Sequence, residues 1–146
     1  MTTSPDDRQH VILDASAPPD HLYVQEVADA FAESVRVLNH QTLHHAALEF
    51  PSEADRLIRA IASGVSRLPQ LFRQIGAWLD QEQAAGQIEV PAGEFAGSPA
   101  TAVSTARVRL DMASAIAAAL HEALGDAASV TCDLAAADTG EGGSDD

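Results

Sequence analysis

The chain has 146 residues, the size of one domain, and a formal net charge of −14 that disfavours indiscriminate attraction to nucleic acid or an anionic membrane. Hydrophobic residues make up 46%, yet aromatics only 4%, and alanine dominates. Small side chains let helices approach closely but bury little area each, so the expected core is thin and pairing with a second copy would help it.

All eight basic residues are Arg, and no Lys is present for a phosphate-binding P-loop. Cys132 is the only cysteine, which excludes an intramolecular disulfide. Met1 to His10 lacks the apolar core of a secretory signal, and the apolar run Ala113 to Leu120 is too short to span a bilayer. These features predict a soluble cytoplasmic protein with no membrane partner.

Residues 1–19 are rich in Ser, Pro and Asp and are expected to be flexible, ahead of a helical domain over 20–134. Asp20 is placed to cap a first helix over 21–48, with Val24, Val27, Phe31, Val35 and Leu38 on one side. Glu33, Arg36, His40 and His44 fall on the other side. Phe50-Pro51-Ser52 is a corner, and Ser52 with Asp55 three residues on fits a capping-box start.

The second predicted helix, 52–85, carries the strongest pattern in the chain. Ala54, Ile58, Ile61, Val65, Leu68, Phe72, Ile75 and Leu79 alternate in steps of four and three. Leu57, Gly64, Leu71 and Trp78 form a second line beside them. Pro69 interrupts the hydrogen-bond ladder at a cost of about 3 kcal/mol in a helix interior. The apolar phase nevertheless runs through it, which predicts a kinked but continuous helix.

Gly86 ends that helix, and residues 87–97 could form a small hairpin or an ordered loop. Ser98-Pro99 starts a third helix over 99–124 or longer, with Val103, Ala106, Leu110, Ala113, Ala117, Leu120 and Leu124 inward. Arg107 and Asp111 are spaced for an i,i+4 pair. From Ala135 the chain is acidic and lacks bulky apolar residues, predicting a disordered tail over 135–146. Short corners between long helices predict an all-α, up-down-up bundle of three helices.

Chemistry-bearing constellations are sparse. His40 and His44, one turn apart, have a spacing that can bring two imidazoles onto a metal, but local spacing supplies no third ligand. No activated nucleophile, glycine-rich phosphate loop or cofactor motif is present, so neither catalysis nor a cofactor is expected. Leu57, Leu71 and Trp78 exceed what two antiparallel neighbours need. They are the candidate interaction face for a protein partner or a second copy of the chain.

Two resemblances attach to particular residues. Gly64-Val65-Ser66-Arg67 followed by Gly86-Gln87-Ile88-Glu89-Val90-Pro91-Ala92-Gly93-Glu94-Phe95 resembles the recognition helix and wing of GntR-type winged-helix regulators. That resemblance implies DNA binding by helix 66–85 and wing 87–97, with Arg56, Arg59, Arg67 and Arg73 as phosphate contacts. Pro69 and the acidic Glu89 and Glu94 depart from the pattern. Asp20-His21-Leu22-Tyr23-Val24-Gln25-Glu26-Val27 and Val130-Thr131-Cys132-Asp133-Leu134-Ala135-Ala136 resemble small acidic Ala- and Arg-rich helical proteins of Streptomyces-like actinobacteria. This second likeness implies no activity and carries over no site residue.

Overall fold

The computed structural model describes residues 13–134, and among them every regular element is helical. The predicted tail over 135–146 and most of the N-terminal segment lie outside the described residues. The elements are α1 (His21–Gln41), a 3₁₀ turn (His45–Ala47), α2 (Pro51–Val65), α3 (Leu68–Ala84) and α4 (Pro99–Thr131). The chain divides into two units between Glu49 and Phe50.

The first unit is built on α1. Its Asp20 carboxylate accepts from the Leu22 N–H at 3.0 Å, the cap expected from sequence. Ahead of it, Asp14 accepts from the Ser16 N–H at 2.8 Å and the Ser16 hydroxyl at 2.7 Å. The Asp14 N–H in turn donates to the Tyr23 hydroxyl at 2.7 Å, so an Asx turn is tied back to the helix.

The helix stops at Gln41, seven residues short of the expected 48. Thr42 turns both its N–H (2.9 Å) and its hydroxyl (2.8 Å) onto the Leu38 carbonyl, and His44 is extended. Past Leu38 the apolar periodicity lapses and nothing rewards further turns. No residue of α1 is buried, and Phe31, at the centre of its apolar side, is 60% exposed.

In the second unit the expected helix 52–85 is two helices. Its hydrogen-bond ladder lapses at Ser66 and Arg67, yet both residues keep right-handed helical angles. The apolar phase therefore passes through the joint. Pro69 sits in the first turn of α3, where its missing N–H has no ladder partner to lose. The start is also revised: Pro51 opens α2, and the Glu53 carboxylate accepts from the Phe50 N–H at 3.1 Å. Glu53 thus takes the role expected of Ser52 with Asp55.

Residues 87–98 form a loop, and the possible hairpin is absent, as no strand occurs among the described residues. The loop closes through Gly97 N–H to the Val90 carbonyl (2.9 Å) and Ser98 N–H to the Phe95 carbonyl (2.9 Å). Gly93 and Gly97 take the positive φ these tight turns require. The helix that follows runs to Thr131, a continuation the phase of Ala127 and Val130 allowed.

Of the three strokes of the expected up-down-up bundle, this unit contains the last two. The rod made by α2 and α3 lies against α4, with α2 on its C-terminal half and α3 on its N-terminal half. Buried between them are Ala62, Gly76, Val103, Ala117 and Ala128. None is larger than valine. The thin core expected from composition is what forms.

Candidate functional site

Two opposite flanks of this hairpin differ in chemistry. One is laced by polar ties between the rod and α4. Asp55 accepts from Arg59 Nε at 2.8 Å and from the Thr131 hydroxyl at 2.9 Å. Arg59 Nη2 also donates to the Ala128 carbonyl at 3.3 Å. In the reverse direction, His121 Nδ1 lies 3.1 Å from the Ala62 carbonyl, so that nitrogen carries the proton. Further along, Arg107 Nη1 donates to Asp80 at 2.7 Å instead of pairing with Asp111.

The Arg59 guanidinium holds the Asp55 carboxyl below the usual carboxylate range, against burial, and Thr131 adds to the effect. Arg59 is correspondingly raised by Asp55. The Asp55 side chain is only 18% exposed, so this pair is better shielded from water than a typical surface ion pair.

The Arg107 side chain runs tight against the backbone of α3. A Cβ built on Gly76 would stand 2.8 Å from Arg107 Cδ. Glycine lets the arginine stem cross α3 there without leaving its rotamer.

The other flank is apolar and open. On α3 it presents Leu71, Ile75 and Trp78, all exposed, with Trp78 at 57%. On α4 it presents Met112, Ile116 and Leu120, with Ile116 at 66%. In each helix this line is displaced in the same rotational sense from the line that faces the other helix, Phe72–Gly76–Leu79 on α3 and Val103–Leu110–Ala117 on α4. Because the helices are antiparallel, equal rotations put both lines on one side of the hairpin. The register set by Arg107 on Gly76 brings Leu71 level with Met112 and to within about one turn of Ile116.

One cation sits in this surface. Arg109 shares the flank, and its Nη1 approaches the Met112 sulfur at 3.9 Å. No carboxylate pairs with it among the described residues. Trp, Met and Arg on a flank otherwise made of Leu and Ile match the composition of protein–protein contact surfaces.

Of the residues singled out from sequence, Leu71 and Trp78 lie on this flank and Leu57 continues it, half-buried, on α2. The arginines do not gather with them. Arg59 is held by Asp55, while Arg56, Arg67 and Arg73 are exposed elsewhere on the rod. The wing of the winged-helix pattern is the loop described above, without strands. The rings of His40 and His44 meet edge to face at 5.8 Å, and no group of three potential metal ligands occurs among the described residues.

Sequence reasoning missed Gly76 and, on the open flank, Met112 and Ile116, and it turned Ile75 and Leu120 inward where the structure exposes both. A glycine inside a strong helical seam was the available signal for the first. For the second, it was the breadth of apolar residues around α4, which exceeds one stripe. A shallow pocket of about 260 Å³ lined by Ile88, Glu89, Val90, Pro91, Gly97 and Pro99 has one charged side chain, Glu89, and no second polar side chain to converge with it on a ligand. No helix among the described residues is long and apolar enough to cross a membrane. Comparison of the chain with protein-family models, curated proteins and solved structures finds no match.

Proposed function

We propose that this chain is a non-enzymatic helical interaction module, acting through the apolar flank that α3 and α4 share. The observation that carries the reading is the breadth of the apolar arc on α4. Val103, Ala117 and Ala128 are buried against the rod, while Met112, Ile116 and Leu120 point clear of it. A helix apolar on both sides is normally covered on both sides. Contiguous exposed patches of several hundred Å² mark contact surfaces in soluble proteins.

Substitution separates this reading from a merely loose core. Trp78→Ala and Leu71→Ala alter exposed side chains, so the helical circular dichroism signal and melting curve should change little. The mass of the complexes the chain forms, by light scattering after gel filtration, should fall. If either substitution unfolds the chain, these residues belong to a monomer core and the reading fails.

A further inference from the structure

Resting on that reading, we infer that the occupant of the flank is a second copy of this chain, two hairpins closing into a four-helix bundle about a two-fold axis. The deficit the flank would fill is intrinsic to folding. With no buried residue larger than valine, the hairpin has little area of its own to offset the entropy of ordering. A second copy is supplied in equal number whenever the chain is made.

The area suffices. From Ile61 to Trp78 and across to α4, the surface measures roughly 25 Å by 20 Å at 1.5 Å rise per residue and helix diameters of about 10 Å. Doubling that ~500 Å² gives ~1,000 Å² buried, the threshold of a specific interface, before the ends of the helices add to it.

Charge fits as well. The acids Asp55, Asp80, Asp111 and Glu122 lie off this flank by helical phase, so these carboxylates do not meet their copies at the contact. Arg109, with no carboxylate paired to it among the described residues, shares the flank with the half-buried Glu82 of α3. When a two-fold axis along the hairpin sets α4 over the partner's rod, each copy brings a carboxylate towards the other's arginine. Every neighbouring helix pair is then antiparallel, as in bundles built from hairpins.

Trp78 is the only tryptophan, which makes the full-length chain its own reporter. Sedimentation equilibrium over a dilution series should give twice the 15.3 kDa chain mass at high concentration. On dilution the mass should fall towards one chain as Trp78 emission shifts to the red. Ile116→Glu, at a position already exposed, should weaken self-association by about a hundredfold, since a symmetric contact meets the charge twice. Ser104→Glu, on the polar side of α4, should leave the mass doubled.

A monomer at all concentrations whose Trp78 is open to quencher overturns the second copy but leaves the flank free for another protein. A monomer whose Trp78 is shielded overturns both this inference and the interaction-module reading, because the chain then covers its own flank. A dimer that survives Ile116→Glu with unchanged emission places the contact elsewhere and overturns the inference. Should Ile116→Glu fail to fold, the dilution series of the unsubstituted chain decides alone.

Discussion

Gly76 tests whether α3 and α4 meet where the structure puts them. Alanine in place of a mid-helix glycine ordinarily stabilises by about 1 kcal/mol. Here the new Cβ would stand 2.8 Å from Arg107 Cδ and 3.1 Å from its Nε. The stem must leave its rotamer, costing about 0.5–1.5 kcal/mol, and its bond to Asp80 weakens. The two effects cancel, and Gly76→Ala should leave stability within about 0.5 kcal/mol of the starting chain. In an Arg107→Ala background the obstacle is gone, and the same change should recover about 1 kcal/mol, a Tm rise of about 4–8 °C for a unit this size. Gly76→Leu should cost about 1–3 kcal/mol in either background, because the helix axes themselves would have to part. Thermal melts of the four chains, at one protomer concentration, supply the cycle. Full stabilisation by Gly76→Ala with Arg107 present, together with a tolerated leucine, would refute the close crossing.

Three further outcomes follow from the same packing. Asp55 titrates lower in the folded chain than in the unfolded one, so its contribution is whole above about pH 4 and fades as the pH falls through its folded value. Acid titration of helicity should show that loss, and Asp55→Asn should be less stable near neutrality while losing this part of the acid sensitivity. Pro69→Ala should change stability by less than about 1 kcal/mol in a denaturant melt, since a first-turn proline blocks no ladder bond; a gain near 3 would show it straining a continuous helix. Arg109→Glu should weaken self-association about tenfold, and adding Glu82→Arg to the same chain should restore it, read by sedimentation. Restoration would fail if the two side chains belong to separate surfaces.

How much of this was legible in the sequence depends on what each feature asks of its neighbours. Asp20 at a helix start and Gly86 at a helix end act within a few residues, and the positions expected for them are the positions observed. The apolar phase from Ala54 to Leu79 likewise needed only helical geometry. Features set by tertiary context were not readable. Arg107 had Asp111 one turn away, yet it pairs with Asp80, 27 residues distant in sequence, because the crossing at Gly76 aims its stem across α3. The end of α1 depended on whether anything packs beyond Leu38, which periodicity alone does not report. The open flank was half visible, since Leu71 and Trp78 stood out as a surplus line on the rod. Its α4 half was obscured by the alanines that spread the apolar arc of that helix well beyond one stripe. Only the antiparallel pairing shows that two surplus lines on separate helices turn to the same side, and that joining is what converts an overly greasy rod into a surface with a shape a partner can match.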